Sequence, residues 1–411
     1  MNLRFPSAGI VPPASGRRYH RAKWIVARSD HIIENGHIRV ENKVITEVSS
    51  SPAPAGSIDH GEGVLIPPLI NAHTHLDLSL FKECCDTNLG FENWVRRIIA
   101  SKESSDPDEV EKQARNAASN MAESGTLYAG DIRSEGFAGK LEVKNGTTLS
   151  PAGGVCFREF IGSMEPAGEP ARVESAEVHS CRGDLFPCRD SFACHAPHTC
   201  SPDLLKTVKR KTKEYNLPFS IHLAESHQET DFITTAKGRW AELLKERGID
   251  FSGWGLPAAS PVVHLHSLGL LDPGTLAVHL IRASDEDLDL IADSGAKVCL
   301  CPRSNMNLHG RMPDPARMIR RGIQPAIGTD SLASCSTLSV LDEMAFTASC
   351  SKGLSPEILI DMATVYGARA LGIEKAAGDL GVGKPGWMVY LPLTASNSNL
   401  LLEKITGYES I

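Results

Sequence analysis

Residues 64–77 read VLIPPLINAHTHLD, an apolar run that leads directly into two histidines. The apolar half predicts a buried strand over residues 64–70. Because alternate residues of a strand point the same way, His73 and His75 place two imidazoles on one side of one strand end. Two neighbouring imidazoles often supply the first two ligands of a metal site. An isolated His-x-His, however, is equally compatible with two ordinary loop histidines. The choice between these interpretations depends on the rest of the chain.

The composition is that of an ordinary globular protein with room for a large core and a smaller second domain. The chain has 411 residues, of which 41% are hydrophobic and 22% are charged. The net charge of -8 and the lack of a Lys/Arg-rich stripe argue against a nucleic-acid partner. No apolar stretch approaches the ~20 residues of a membrane span, so we expect no membrane partner. The N-terminus lacks the apolar core of a secretory signal.

The 11 cysteines are odd in number and scattered, and they form no Cys-x-x-Cys pair. This usage predicts reduced thiols in a cytoplasmic protein rather than a disulfide framework. Cys299 and Cys301 have the spacing of a strand and resemble a ligand pair. Since free cysteine is commonly a small buried hydrophobe, we predict that both lie in the core.

Short apolar strands alternate with helix-like segments between about residues 64 and 370. The eight predicted strands are 64–70, 126–130, 154–157, 191–194, 218–221, 275–278, 296–300 and 323–327. The predicted helices are 108–123, 201–215, 229–247, 284–294 and 355–371. Eight such units over roughly 250–300 residues are typical of a (β/α)8 TIM-like barrel, an α/β fold. An open doubly wound sheet is the alternative, but it would carry a glycine-rich turn where this chain has His-x-His.

Both ends of the chain predict a separate small β-sandwich. Short strands are predicted at residues 24–27, 37–40 and 43–48, with the turn dipeptide Asn35-Gly36 between the first two. Residues 387–392 are one more strand candidate. We therefore expect a small β-sandwich domain from residues 1–63 and 376–411, beside a barrel domain that covers residues 64–375.

Polar side chains follow five of the eight predicted strands at the end where such barrels carry their chemistry. They are His73 and His75 after strand one, His195 and His198 after strand four, His222 and Glu225 after strand five, His279 after strand six, and Asp330 after strand eight. Chance would spread the 15 histidines over helices and loops as well. The set therefore favours a metal site, although each member alone would be a weak signal.

Three neutral imidazoles and one carboxylate suit Zn²⁺, and Fe²⁺ or Mn²⁺ nearly as well. We predict that His73, His75, His222 and Asp330 bind one such divalent metal together with a water. The metal would lower the pKa of this water from roughly 15.7 to about 7, which gives a hydroxide at neutral pH. In one branch of barrel hydrolases a carbamylated lysine on strand four bridges two metals. Residues 191–199 contain no lysine, so a single metal is expected.

Glu225 follows His222 closely and is placed to take a proton from the water and pass it to the leaving group. Its alternative role is that of a surface glutamate that caps the next helix. His279 is expected to donate to the attacked atom or to orient it, with a buried structural histidine as the alternative.

Several of these stretches resemble the amidohydrolase superfamily, in its branch of mononuclear-metal deaminases and chlorohydrolases. The matching stretches, in the order of the family, are residues 71–75 (NAHTH), 195–202 (HAPHTCSP), 222–226 (HLAES), 301–305 (CPRSN), 328–331 (GTDS) and 362–372 (MATVYGARALG). The resemblance implies metal binding by the four ligands named above, proton transfer by Glu225, substrate polarisation by His279 and substrate contact by His198. Asp330 would in addition help to orient the hydroxide.

Within this branch, residues 91–95 (FENWV), 157–162 (FREFIG) and 260–265 (SPVVHL) are similar to deaminases of aminodeoxyfutalosine, an adenine nucleoside. Deaminases of methylthioadenosine and adenosylhomocysteine look like the next most similar enzymes. The resemblance thus implies hydrolytic deamination of an aminated heterocycle, with an adenine nucleoside as the small-molecule substrate. The alternatives are displacement of chloride or an amine from a triazine-like ring, deamination of cytosine or guanine, and a non-catalytic barrel that acts as a binding module.

Three further side chains are candidates for substrate contact. Trp94 is expected either to stack on the ring or to pack in the core. Arg158 and Arg303 are expected either to form forked hydrogen bonds to sugar or carboxylate oxygens or to be solvated surface residues. Loops 79–94 and 159–187 are expected to set specificity, and a homo-oligomer is compatible with the sequence.

Overall fold

The computed structural model describes residues 8–84, 90–134, 153–162, 180–183 and 186–408. Eight short strands precede the barrel. They are β1 (Gly9–Val11), β2 (Arg17–Arg21), β3 (Trp24–Arg28), β4 (His31–Glu34), β5 (His37–Glu41), β6 (Val44–Ser49), β7 (Ile58–Asp59) and β8 (Val64–Ile66).

The barrel sheet contains the next nine strands. They are β9 (Leu69–Thr74), β10 (Thr126–Ser134), β11 (Gly153–Phe160), β12 (Ser180–Gly183), β13 (Phe186–Cys194), β14 (Phe219–Leu223), β15 (Thr275–His279), β16 (Lys297–Leu300) and β17 (Ala326–Ile327). All except β12 pair in parallel in chain order, whereas β12 pairs antiparallel with β13. A parallel bridge between Thr74 and Asp330 joins the first strand to the last at the carboxyl end. This arrangement confirms the predicted barrel.

The first barrel strand begins later than predicted. The single strand predicted over residues 64–70 is two strands, because β8 pairs in a small sheet and β9 begins the barrel. Pro67 and Pro68 separate them, since proline has no amide hydrogen with which to continue a ladder. As a result, His73 lies inside β9 and His75 directly follows its end.

The last strand, β18 (Met388–Leu391), returns to the small sheets. It takes part in a five-stranded sheet of order β1-β18-β8-β3-β4, next to a four-stranded sheet of order β6-β5-β2-β7. The two small sheets share one buried hydrophobic cluster. It includes Ile25 and Leu65 from the five-stranded sheet and Ile38 and Val40 from the four-stranded sheet. Both ends of the chain therefore contribute β-structure outside the barrel, as predicted, and the division at residues 63 and 376 stays a prediction.

Asn35-Gly36 lies at a bend between the first two predicted strands, as expected, but these two strands, β3 and β5, do not pair with each other. The antiparallel partner of β3 is β4, a strand that the sequence did not reveal, and Asn35-Gly36 leads from β4 into the other sheet. The reason is that β4 has only four residues with polar ends, so it lacks the apolar alternation of a strand.

Thirteen helices are found in the described ranges, together with a 3-10 helix at Leu76–Cys84. They are α1 (Phe91–Ser104), α2 (Pro107–Glu123), α3 (Pro202–Glu214), α4 (His227–Thr235), α5 (Arg239–Glu246), α6 (Pro261–Ser267), α7 (Asp285–Ser294), α8 (Pro302–His309), α9 (Pro315–Ile319), α10 (Val340–Cys350), α11 (Pro356–Ala363), α12 (Val365–Leu371) and α13 (Ser398–Thr406). The helices α2, α3 and α11 begin in the same way: the side chains of Asp106, Ser201 and Ser355 accept hydrogen bonds from backbone amides, and a proline follows at the first helical position.

Two long predicted helices are each divided in two. The helix predicted over 229–247 is α4 and α5, because Ala236 and Gly238 adopt positive φ values of 54° and 88° that end α4 and redirect the chain. The helix predicted over 355–371 is α11 and α12, which are separated at Thr364. A prediction from helix propensity alone continues through such breaks, because the residues around them are good helix formers.

The core supports one further expectation from the sequence and shows where the last helix packs. Cys299 and Cys301 are fully buried, which confirms that they are core residues. Leu401 and Ile405 of α13 lie in the same buried cluster as Val340 of α10, so the last helix packs on the barrel's helical layer. Across the residues placed by the structure, no helix has the length and apolar character needed to cross a membrane.

Candidate active site

Four side chains from three strands converge at the carboxyl end of the barrel. The Nε2 atoms of His73 and His75 are 3.2 Å apart, and those atoms lie 3.3 and 3.4 Å from Nε2 of His222. Oδ1 of Asp330 is 3.6 Å from Nε2 of His75 and 4.0 Å from Nε2 of His73. All four side chains are buried. The structure therefore brings together the four predicted metal ligands.

This donor set fits one divalent transition metal. Nitrogens about 2.0–2.1 Å from a tetrahedral zinc ion would lie about 3.3–3.4 Å from one another, which is close to the observed spacing of the three imidazoles. Three imidazole nitrogens and a carboxylate oxygen are also donors that Fe²⁺ and Mn²⁺ accept.

Neighbouring groups direct the lone pairs of the cluster inward. Nδ1 of His222 donates to the carbonyl oxygen of His195 at 2.7 Å, so the free lone pair of this ring is on Nε2. Oδ2 of Asp330 accepts hydrogen bonds from the hydroxyls of Ser304 at 2.6 Å and Ser334 at 2.9 Å. Oδ1 is therefore the Asp330 oxygen that faces the histidines.

The charge state of the histidines also suits a metal. Burial lowers the pKa of His73, His75 and His222, and neighbouring imidazoles lower it further. The three rings are therefore neutral at pH 7, and each keeps a lone pair to offer.

The motifs around these ligands also form the seam of the barrel. Asn71 donates to the Thr329 hydroxyl at 2.7 Å and accepts from the Thr329 amide at 3.1 Å. The Thr74 hydroxyl donates to the carbonyl oxygen of Asp330 at 2.8 Å. The first and last strands are thus joined by the side chains that flank their ligands, which fixes the position of Asp330 relative to His73.

Unusual backbone conformations occur at three of the strand ends. Ala224, His279 and Asp330 have positive φ values of 50°, 77° and 64°. For residues other than glycine this region costs roughly 1–2 kcal/mol, and such residues cluster at functional sites. At Gly328 a side chain is excluded by the lack of space, because a Cβ there would lie 2.8 Å from the carbonyl oxygen of His73.

The turn that presents Glu225 is held by a second glutamate. The two carboxylate oxygens of Glu229 accept hydrogen bonds from the amides of Ala224 at 3.0 Å and Glu225 at 2.7 Å. Burial raises the pKa of Glu229 to about 8. Ser226 accepts a hydrogen bond from the Glu229 amide and caps α4, so Glu225 is not the helix cap and its side chain is free to face the barrel mouth.

The Glu225 carboxylate lies between two histidines. Its Oε1 is 3.2 Å from Nε2 of His309 and 3.8 Å from Nε2 of His279. Because a carboxylate only accepts, His309 donates this hydrogen bond. Burial disfavours the charged form of Glu225, but the imidazoles outweigh it and hold its pKa well below the usual value. His279 is itself oriented by Asn305, whose Oδ1 is 2.8 Å from its Nδ1.

The two histidines after the fourth barrel strand have different surroundings. His198 is 2% exposed, its ring centre is 4.5 Å from that of Trp240, and its Nδ1 is 3.9 Å from Glu229. His195 lies against the metal-ligand cluster, with its ring centre 4.9 Å from that of His222. The predicted contact of His198 with substrate stays a prediction, and His195 is the histidine of this pair that adjoins the ligands.

The other predicted substrate contacts lie outside the cluster. The Trp94 indole donates to the carbonyl oxygen of Ala333 at 2.9 Å and packs in a buried cluster. Arg303 donates to the carbonyl oxygen of Asp342 at 3.1 Å. Arg158 precedes an inward-facing residue of β11, and alternation therefore turns its side chain outward. The roles of Trp94, Arg158 and Arg303 in binding stay predictions, and most of the predicted loop 159–187 lies outside the described residues.

Two residues near the cluster were missed in the sequence. His309 is the last residue of α8, and nothing in a lone histidine at a helix end pointed to Glu225. Glu159 is the penultimate residue of β11 and is 6% exposed. The strand had been predicted to end at Phe157, and a longer strand would have placed Glu159 among the strand-end residues.

Comparison with known proteins places this geometry in context. Residues 64–408 match the model of the Amidohydrolase family. A 5-methylthioadenosine/S-adenosylhomocysteine deaminase of Syntrophomonas wolfei is 30% identical over 383 residues, covering 90% of this chain and 83% of the relative. The structure of Helicobacter pylori aminofutalosine deaminase with methylthio-coformycin has a TM-score of 0.78 and 22% identity, covering 95% and 97% of the two chains. A zinc-bound adenosine deaminase from Xanthomonas campestris has a TM-score of 0.75 and 22% identity, covering 97% and 90%.

Proposed function

Since the chain belongs to the amidohydrolase family, as its resemblance implied, we propose that it is a metal-dependent hydrolase that deaminates an adenine nucleoside. The observation that carries the proposal is the position of an ionised Glu225 beside His279 and His309, next to three histidines that could hold a metal and the carboxylate of Asp330. The relative from Syntrophomonas wolfei supports the substrate class, because its name contains two adenine nucleosides.

We propose Zn²⁺ as the resident metal, held by His73, His75, His222 and Asp330. Bound there, it would supply a hydroxide nucleophile at neutral pH, because zinc lowers the pKa of water from roughly 15.7 to about 7. The inward lone pair of His222 and the inward Oδ1 of Asp330 support this assignment.

Glu225 is the residue that moves protons in this proposal. Its low pKa keeps it ionised at pH 7, so it can take a proton from the attacking water. It then delivers that proton to the ring nitrogen beside the amine-bearing carbon. The second proton of the water leaves with the amine, so water and aminated ring give a carbonyl and ammonia. His279 contacts the attacking oxygen, and Asp330 orients it.

Ammonia release tests the proposal directly. Protein loaded with one equivalent of Zn²⁺ is incubated with adenosine, methylthioadenosine, adenosylhomocysteine or aminodeoxyfutalosine, and with a chlorotriazine as the competing substrate class. We expect ammonia from at least one nucleoside and no chloride from the triazine. Bound zinc without ammonia from any nucleoside would contradict the proposal.

A pair of variants tests the role of Glu225. Glu225→Gln should lower kcat by about 10²–10⁴-fold, the range for loss of a general acid–base group, with unchanged zinc content. Glu242→Gln changes an exposed carboxylate on α5 and should leave kcat unchanged. Equal activity of the two variants would remove Glu225 from the mechanism.

A further inference from the structure

The helix α8 bonds to three groups of the proposed site. Its Ser304 hydroxyl donates to Oδ2 of Asp330 at 2.6 Å. Its Asn305 side chain accepts a hydrogen bond from Nδ1 of His279 at 2.8 Å. The imidazole of its last residue donates to Oε1 of Glu225 at 3.2 Å. The position of this eight-residue helix therefore sets the orientation of a metal ligand, of the histidine beside the attacking oxygen and of the proton-transfer carboxylate.

The start of α8 has no cap from its own sequence. Its N-cap residue, Cys301, forms no side-chain hydrogen bond to the first turn. The amides of a first turn have no partner inside the helix, and a buried amide without a partner is destabilising. In α3, α4, α7 and α11 the hydroxyl of the N-cap serine provides this partner. The first turn of α8 must be held by another part of the chain.

Glu343 of α10 supplies the missing cap. Its Oε2 accepts a hydrogen bond from the Arg303 amide, in the first turn of α8, at 3.0 Å. The Arg303 guanidinium strengthens the same junction, because it donates to the carbonyl oxygen of Asp342 at 3.1 Å and lies 5.3 Å from the ring centre of Phe346. α10 is a firm support for α8, since its Met344 is fully buried in the core.

Packing alone does not explain a carboxyl group at this position. Glu343 is 0% exposed, and burial of a carboxyl group costs free energy unless hydrogen bonds compensate. An apolar side chain of the same length would fill the space without this cost. Within the described parts of the chain its Oε1 has no hydrogen-bond partner and lies 3.7 Å from Nε of Arg303. The bond from Oε2 to the Arg303 amide is therefore what the carboxyl group contributes.

We propose that Glu343 is a positioning residue: by holding the Arg303 amide it fixes α8, and α8 then orients the three site groups described above. This inference rests on the proposed function. A hydrogen-bonded helix of two turns moves as a unit, so a loose first turn would disturb several of these groups together. A misplacement of about 1 Å in a catalytic group can lower a rate roughly 100-fold.

Three variants of Glu343 test the proposal. Glu343→Met keeps the length of the side chain without an acceptor, Glu343→Asp draws the carboxylate back from the amide by one methylene, and Glu343→Gln keeps an acceptor at the original distance. With zinc-loaded protein and a nucleoside that releases ammonia, we expect Glu343→Met to lower kcat roughly 10- to 100-fold. Glu343→Asp should lie between this variant and the wild type. Glu343→Gln should stay within about 3-fold of the wild type, because an amide oxygen still accepts the bond.

Zinc affinity provides a second readout that needs no substrate. Ser304 directly follows the residue that Glu343 holds, so Glu343→Met should weaken zinc binding in a competition titration. We expect a loss of roughly 3- to 10-fold, less than is usual for an outer-shell partner, because the Ser334 hydroxyl still donates to Asp330 at 2.9 Å. The visible spectrum of Co²⁺-loaded protein reports the geometry of the metal ligands and should shift in the same variant.

Asp287→Leu is the matched control. Asp287 is also a buried carboxylate, 3% exposed, and it accepts a backbone amide at the start of a helix, from Ser284 at 3.0 Å. Its helix, α7, bonds to α9, since Asp285 accepts from Arg317 at 2.7 Å. Asp287→Leu should lower the melting temperature, as Glu343→Met does, but should leave kcat, zinc affinity and the Co²⁺ spectrum unchanged.

The outcomes separate a positioning role from a general effect on the fold. Wild-type kcat and zinc affinity in Glu343→Met would overturn the proposal, and so would equal losses in Asp287→Leu, which would show a general loosening of the barrel mouth. If Glu343→Met fails to fold, the same two readouts on Glu343→Asp decide. If the wild type releases no ammonia from any nucleoside, the proposed function fails, and the zinc titration and the Co²⁺ spectrum still decide whether Glu343 positions α8.

Discussion

The contact between His309 and Glu225 can be removed while the surrounding packing is kept. His309 lies 4.7 Å from Phe91 between ring centres, and its side chain is 4% exposed. His309→Phe retains a ring of similar size against Phe91 but removes the Nε2–H donor. Glu225 would then keep its interaction with His279 alone.

The size of the effect follows from the charge on the acceptor. A hydrogen bond to a charged group contributes about 1.5–3 kcal/mol, so we expect kcat to fall about 10- to 150-fold. His309 also helps to lower the pKa of Glu225. Without it this pKa rises, and the acidic limb of kcat/KM shifts to higher pH, because that limb reports the base in the free enzyme.

Ammonia release measured from pH 4 to 9, with zinc content determined in parallel, separates these effects from a folding defect. Phe91→Leu is the control, since it loosens the packing on His309 but keeps the donor. It should leave the acidic limb in place. A His309→Phe enzyme with wild-type kcat and an unshifted acidic limb would refute a role for His309 in orienting Glu225.

Three further outcomes are expected. Removing the metal with a chelator should abolish ammonia release and lower the melting temperature, and one equivalent of Zn²⁺ should restore both; activity that survives complete removal would contradict the metal site. The double variant Ser304→Ala/Ser334→Ala frees Oδ2 of Asp330 and should weaken zinc binding about 10- to 100-fold in a competition titration, as other losses of outer-shell hydrogen bonds do. Burial raises the pKa of Glu343 from 4.5 to about 8, so the folded state holds a proton that the unfolded chain releases. Stability should therefore fall as pH rises from about 4.5 to about 8, and urea unfolding of Glu343→Gln at pH 5 and pH 8 should show a smaller fall.

The barrel was predictable because its strands are buried on both faces and read as short apolar runs between helices. Strand ends were less predictable where polar residues continue the ladder. β10 extends to Ser134 because Asp131, within it, accepts hydrogen bonds from the Leu76 amide at 3.1 Å and from Arg133 at 2.6 Å. A polar residue is tolerated in a buried strand when a group distant in sequence forms a hydrogen bond with it. The sequence of the strand alone does not reveal that group, so the prediction ends the strand too early.

The convergence of the four candidate metal ligands was predictable for a topological reason. Each follows an apolar strand, and parallel strands in a barrel bring all such ends to one mouth. His73, His222 and Asp330 therefore did not need to be near one another in sequence. His309 does not follow a strand. It reaches Glu225 only because α8 is directed across the mouth, so its contact depends on helix placement that no local pattern encodes.

Arg158 and Glu159 illustrate how one residue of register separates a surface group from a site group. Both lie in a stretch similar to nucleoside deaminases, and only Arg158 was named as a candidate for contact with sugar or carboxylate oxygens. Successive residues of a strand point to opposite sides, so only one of them can face the mouth. In β11 Glu159 is paired in register with Ala193, one residue before the end of β13, and it faces His195 and His222.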